Sequence, residues 1–375
     1  MNLSDIQTPA LILDLEKFEK NCKDMKDRLG SRNVKIRPHL KTGKCLEFAK
    51  RQMTSLADPA TVSTLLEAEY FFNRGINDIL YAVSITPSKF ERTANLIRQG
   101  CSLKVILDNE TTAKALSAFC KEENILIPVL IEIDCDGHRS GIAPTSDRLL
   151  SVAECLTNGA KLVGVLTHAG DSYKCYGEKA CLKAQENERD SLVLAANRLR
   201  ELGYNLSIIS AGSTPTARFG QNWDGVTEVR CGVYCTYDLV MAGLGVCSVD
   251  EIALSVLVEV IGYQSEKGWI ITDGGWMAMS RDRGTAQQPN DRGYGLVCDL
   301  SGKPIGDLIV ASANQEHGII CSPSGQNLQE KDFPIGTRLR ILPNHACPTA
   351  AQHPQYFVTK DEKIVDIWKR FYGWQ

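Results

Sequence analysis

The sequence predicts an α/β protein: a parallel (β/α)8 TIM barrel followed by an all-β domain. Three observations predict it. From about residue 34 to 240, short β-branched runs alternate with longer amphipathic segments, eight times in succession. After about residue 245 helical periodicity gives way to extended segments joined by Gly, Pro and Asp turns. The chain has 375 residues, 43% of them hydrophobic, which is more than one core usually holds. The barrel is expected over 18–244, and the β domain over 245–375 together with 1–17.

In chain order, PALILDL comes first, an extended run ahead of the barrel that is placed to pair with the β domain. The barrel strands are expected at 34–38, 60–63, 78–82, 103–107, 128–134, 162–167, 206–211 and 226–232. Between them lie helix-like segments such as CLEFAKRQM, TLLEAEYFFNRG, PSKFERTANLIRQG and TTAKALSAFCKEE, and a long one from Gly177 to a stop at Gly203. A doubly wound open sheet is the rival, and it calls for a GxGxxG after the first strand, which is missing. The β domain follows as IALSVLVEVIGY, GWIITDGG, DLIVASAN, TRLRILPNH and QYFVTKDEKIVDIW.

Composition bounds the function. With 42 basic and 45 acidic side chains and a net charge of −3, no electrostatic footprint for nucleic acid or an acidic membrane is present. No run approaches the ~18 apolar residues that span a bilayer. The N-terminus lacks a basic n-region and a small-residue cleavage site, so a cytoplasmic protein is expected. The 14 Cys form no CxxC pair and read as reduced, mostly buried thiols.

Catalytic groups of such a barrel gather at the C-terminal strand ends. There the chain places Arg37-Pro38-His39-Leu40-Lys41-Thr42-Gly43-Lys44, then Asp136-Gly137-His138-Arg139, His168-Ala169-Gly170-Asp171-Ser172-Tyr173, Gly212-Ser213-Thr214 and Gly232-Val233-Tyr234. Three of the six His sit on these ends: His39, His138 and His168. The Gly-Ser-Thr run after the seventh strand offers backbone N–H groups and two hydroxyls to a phosphate, with Gly232 and Tyr234 beside it. An ordinary turn with a helix N-cap reads equally well there.

Lys41, at the tip of the first strand across from that cradle, suits a Schiff base with pyridoxal phosphate (PLP), provided its amine is partly desolvated. Lys35 and Lys44 lack its Pro- and His-anchored turn, and Arg37 beside it is placed to position an acidic group. In the β domain, His345 and Cys347 lie two apart in what reads as an extended segment, so both project to one side. Imidazole and thiolate suit Zn2+, and two protein ligands leave positions open for substrate. A buried Cys beside a satisfied His is the alternative. His353 and His317 are further candidate ligands, and Arg281 and Arg283 candidates for a substrate carboxylate.

Together these motifs resemble the metal-activated D-serine dehydratase and D-threonine aldolase family, whose barrel is that of alanine racemase. The resemblance rests on TPALILDL, RPHLKT at 37–42, DGHRSG at 136–141, LTHAG at 166–170, SAGSTPT at 210–216, RCGVYCTYD at 230–238 and NHACPT at 344–349, and it covers nearly the whole chain. DGVTEVRCGVY and DGGWMAMSRDRGTA look like the branch acting on D-threo-3-hydroxyaspartate. Many relatives carry His where this chain has Gly43.

The resemblance implies a PLP- and divalent-metal-dependent lyase acting on D-3-hydroxy amino acids. Lys41 would carry PLP, and Gly212, Ser213, Thr214, Gly232 and Tyr234 would hold its phosphate. Arg139 and His168 would be catalytic and face the cofactor with Tyr173, while His345 and Cys347 would bind Zn, Mn or Mg. It also implies a homodimer. The expected reaction eliminates water from D-serine or D-threo-3-hydroxyaspartate, giving a keto acid and ammonia. The alternative is a retro-aldol cleavage of D-threonine to glycine and an aldehyde. A racemase is disfavoured by a metal pair where a second base would stand, and a non-catalytic PLP carrier by the second domain.

Overall fold

The computed structural model of the protein describes residues 1–326 and 328–374. It divides into two compact units, one of Asp24–Gly232 with the chain end from Gly373, the other of Met1–Lys23 with Val233–Tyr372.

After β1 (Ala10–Asp14) come the eight strands of the first unit: β2 (Lys35–Ile36), β3 (Ala60–Val62), β4 (Asp78–Ser84), β5 (Ser102–Leu107), β6 (Ile127–Ile133), β7 (Ala160–Thr167), β8 (Ile208–Ala211) and β9 (Glu228–Val229). All are parallel, in the order β2-β9-β8-β7-β6-β5-β4-β3. β2 stops after two residues because Pro38 has no N–H to donate. The seam between β2 and β3 is closed just beyond, where His39 bridges Thr61. There the Leu40 N–H donates to the Thr61 carbonyl at 2.9 Å, and the Thr61 N–H to that of Pro38 at 2.9 Å.

Strand alternation sorts the barrel interior into layers. Leu80, Ile106, Leu130 and Leu166 form one buried cluster against Ala82, Val163 and Ile208. Two residues back toward the strand starts, Asp78 and Lys104 share that face and pair at 2.8 Å. Two residues onward stand Glu132 and Ser210. Arg37 was expected to position an acidic group near Lys41. Instead it turns into the barrel, with Nε 2.7 Å from Glu228 and Nη1 2.7 Å from Asp78, and is 2% exposed. A guanidinium that deep needs paired carboxylates to offset its lost hydration, so its role is to hold the barrel together.

The second unit adds β10 (Leu254–Gln264), β11 (Trp269–Thr272), β12 (Gly295–Cys298), β13 (Pro304–Ala313), β14 (Gly318–Cys321), β15 (Arg338–Pro343), β16 (Gln355–Lys360) and β17 (Lys363–Lys369). Six of these close into an antiparallel ring, β10-β11-β14-β13-β12-β15 and back to β10. β10 manages two partners on one edge because its register shifts between Val260 and Gly262. β1 lies antiparallel to β10 and parallel to β16, so the PALILDL run is built into this β unit. Leu3, Ile6, Ala10, Ile12 and Leu257 form a core there. The 14 cysteines form no disulfide among the described residues, and most of them are buried. Among the described residues no helix is long and apolar enough to cross a membrane.

Candidate functional site

The turn after β2 places Lys41 at the barrel mouth, exposed. The desolvation expected for it is not supplied by the described residues of its own unit. Lys44, by contrast, holds its ammonium 3.2 Å from the buried Glu67. Beneath the turn, His39 has a buried Nδ1 with no hydrogen-bond partner among the described residues. Burial first, then the charges of Lys41 and Arg230, hold His39 well below the ordinary imidazole range, so it is neutral. Gly43 is required locally: a Cβ there would stand 2.4 Å from the ring of Phe48, which fills the space a His would need.

His168 follows β7, and its Nδ1 lies 3.0 Å from the carbonyl of Gly212. A carbonyl only accepts, so Nδ1 carries the hydrogen and Nε2 is left bare. Burial lowers its pKa to about 4 against the opposing Gly212 hydrogen bond, with Lys41 and Arg139 adding to the lowering. Tyr173 sits beside it, ring centroids 5.9 Å apart. Arg139 is exposed and reaches back 3.4 Å to the buried Glu132. Lys41, His39, His168 and Arg139 therefore share one charged mouth, as expected from the strand ends.

The Gly212-Ser213-Thr214 cradle differs from expectation in its donors. The Gly212 N–H donates to Glu188 Oε1 at 2.9 Å, and the Ser213 N–H to Thr216 Oγ1 at 3.1 Å. Ser213 caps the helix Thr214–Phe219, so the N-cap reading holds for that residue. Thr214 keeps a buried Oγ1 without a partner among the described residues. Gly212 admits no side chain, since a Cβ would stand 2.2 Å from the Arg230 carbonyl oxygen and its φ is +140°. Gly232 packs against His39, a Cβ there meeting its carbonyl at 3.1 Å. Tyr234 belongs to the other unit, where it is fully buried.

Glu188 was not singled out in the sequence. It is fully buried, and its Oε1 also accepts from Ala169 N–H at 3.1 Å, so one oxygen ties the His168 loop to the Gly212 loop. Burial raises its pKa. Within the helix Glu178–Glu201 it read as one charge among many.

In the β unit, Cys347 is not in an extended segment. It lies in the short helix Ala346–Ala350 with His345 as N-cap, so the two approach through a helical turn and not by strand alternation. His345 Nδ1 stands 2.8 Å from Asp282 Oδ2, with the side chains 42% and 30% exposed. Burial works against a charge on His345, but the bond to Asp282 and the neighbouring Cys347 outweigh it and push the imidazole up to about 11.

His353 is buried with Nε2 2.8 Å from the Ala278 carbonyl, and His317 is exposed in the β13–β14 turn. No group of three or more His, Cys, Asp or Glu is poised for a metal among the described residues. Arg283 pairs with Asp291 at 2.8 Å, and Arg281 stacks on Trp276 at 4.3 Å.

With this geometry in place, the chain matches the alanine racemase N-terminal domain family over residues 13–239 and a serine dehydratase domain over 253–359. It is 48% identical over 378 residues to D-threo-3-hydroxyaspartate dehydratase of Delftia sp. (strain HT23), covering 99% of each chain. The chain belongs to the alanine racemase-like D-serine dehydratase family. It is a PLP-dependent lyase of that family. The solved structure of the Delftia dehydratase superposes on all of it with a TM-score of 0.97 and 47% identity, and a mutant of that enzyme is described in a metal-free form. D-serine dehydratase of Dictyostelium discoideum is 28% identical, over 100% of this chain and 98% of its own.

Proposed function

We propose that the protein removes water from a D-3-hydroxy amino acid, D-threo-3-hydroxyaspartate or D-serine, and that the released enamine takes up water to give a keto acid and ammonia. The end-to-end likeness to D-threo-3-hydroxyaspartate dehydratase carries this reading. The residues fit the two groups such chemistry needs. The buried, unpartnered Thr214 Oγ1 and the side-chain-free Gly212 suit a phosphate. An imidazole beside a thiol, with a carboxylate behind the ring, suits a divalent ion.

When bound, PLP supplies an electron sink for the pair left at Cα, and the metal supplies Lewis acidity toward the departing hydroxyl. Lys41 would hold PLP, with Gly212, Ser213, Thr214 and Gly232 on its phosphate and Tyr173 beside its ring. His345 and Cys347 would hold the metal, for which Zn2+ is the softness match, ahead of Mn2+ or Mg2+.

The Nζ of Lys41 is the base that takes the Cα proton. His168 remains neutral at working pH, so its bare Nε2 accepts a hydrogen bond and adds no charge to the mouth. Arg139, anchored weakly on Glu132, orients an anionic group of the substrate. A homodimer and a cytoplasmic location complete the reading, the second in keeping with 14 cysteines and no disulfide among the described residues.

The test is product analysis with D-serine, D-threonine and D-threo-3-hydroxyaspartate, with and without a chelator. Keto acid and ammonia, lost on chelation, are expected. Glycine and an aldehyde would replace this reading by the aldolase one, and turnover indifferent to chelation would overturn the metal assignment.

A further inference from the structure

We propose that Asp282 is the residue that positions His345 for metal binding, an inference that rests on the reading of His345 and Cys347 as metal ligands. The Asp282 carboxylate is an acceptor only, so the hydrogen in its 2.8 Å contact with His345 belongs to Nδ1. With that hydrogen kept on Nδ1, the proton an incoming metal ion displaces is the one on Nε2, so the Nε2 lone pair is the one offered to the ion, with the carboxylate behind the ring strengthening it as a ligand. Asp238, the other nearby carboxylate, is occupied elsewhere, accepting from the Met241 N–H at 3.0 Å and the Ala346 N–H at 3.0 Å.

Asp282 is itself held on every side. Its Oδ1 accepts from the Gly284 N–H at 2.8 Å, and its N–H donates to Ser280 Oγ at 3.2 Å. Its carbonyl accepts from Asn344 Nδ2 at 3.0 Å. Asn344 immediately precedes His345, is 2% exposed, and also donates to the Gly293 carbonyl at 2.6 Å while accepting from Thr285 Oγ1 at 3.0 Å. The carboxylate loop and the ligand segment are thus one hydrogen-bonded piece, 62 residues apart in the chain.

The backbone bends to achieve it. Ser280, 5% exposed, has φ +75° and ψ 167°, a conformation that is nearly the preserve of glycine. That turn ends the helix Trp276–Met279 and sends the chain toward His345.

The experiment titrates the chelator-treated full-length protein with Zn2+ and Co2+, by calorimetry and absorbance, in the wild type and in Asp282→Ala, Asp282→Asn, His345→Ala and Cys347→Ala. Asp282→Ala should weaken metal binding by about 10- to 100-fold, with an unchanged melting temperature. Asp282→Asn keeps an acceptor oxygen but loses the charge, so a smaller loss of about five-fold or more is expected, and this variant decides if the alanine form melts early. The visible bands of bound Co2+ should shift while the Cys347 sulfur-to-cobalt band persists, a signature that general loosening would not produce. Affinities within two-fold of wild type in the folded Asp282 variants would overturn the proposal. Unchanged affinity in His345→Ala and Cys347→Ala would instead overturn the ligand reading on which it rests.

Discussion

Lys41 and Lys44 stand three positions apart on one turn, and the structure separates their tasks. Lys44 is committed to the buried Glu67, whereas Lys41 is exposed at the mouth among His39, His168 and Arg139. Lys41→Ala should therefore abolish the yellow absorbance that PLP confers after dialysis; a retained band would move the attachment to another lysine. His168 makes a separate statement about pH. Its pKa of about 4 lies below the ordinary 6.5, so between these values the unfolded chain binds a proton that the folded protein refuses. Stability from this residue is full above about pH 6.5 and is lost as the pH falls toward 4. The slope for one such residue approaches ~1.4 kcal/mol per pH unit. Denaturant melts across this range should show a shallower acid loss in His168→Asn, which can still donate to the Gly212 carbonyl. An identical slope in both proteins would mean that the imidazole is not held neutral.

At the scale of elements, the barrel supports its mouth from behind. The helix Glu178–Glu201 presents one buried carboxyl oxygen to two loops, accepting from Ala169 and Gly212. Removing it leaves two buried donors unsatisfied, each costing ~1–3 kcal/mol. Glu188→Ala should lower the melting temperature and weaken PLP binding. Glu188→Gln should largely preserve both, because burial already disfavours the charge and an amide oxygen accepts the same two bonds. Equal damage from Gln and Ala would show that the negative charge is what matters. The turn after β2 has a comparable internal fit. Gly43→Ala would push a methyl into the Phe48 ring and should destabilise by ~1–3 kcal/mol, with Phe48→Ala in the same chain recovering part of that loss in a double-mutant cycle.

For the whole molecule, what was legible follows from the range of the signals. The eight barrel strands and most of the β segments are written in runs of β-branched residues with their turns and were readable locally; β12 and β14, four residues each, are too short for such a run and were not. The strand-end rule then placed Lys41, Arg139 and His168 at one mouth. What local pattern does not carry is which distant group a side chain meets. Arg37 looked like a partner for the Lys41 turn, and its carboxylates come from β4 and β9. Cys347 lies in a helix of five residues, too short for any periodicity to appear. Glu188 and Asp282 read as ordinary surface charges until the fold brought backbone donors and an imidazole to them.

The residues proposed for the two groups also divide by unit. Lys41, Arg139, His168, Tyr173, Gly212, Ser213, Thr214 and Gly232 belong to Asp24–Gly232, whereas His345, Cys347 and Asp282 belong to the β unit. Hydrogen bonds inside each unit tie part of each set together: Glu188 joins the Ala169 and Gly212 loops, and Asn344 joins the Asp282 loop to His345. Loading of one should then be nearly independent of the other, while turnover needs both. Chelation should abolish product formation yet leave the PLP absorbance in place, and added Zn2+ should restore activity. Conversely, Lys41→Ala should bind Zn2+ within about two-fold of wild type, since no described residue of the metal pair lies in its unit, and sites without a shared network contribute additively. Loss of PLP on chelation, or of metal affinity in Lys41→Ala, would mean that the two loadings are coupled.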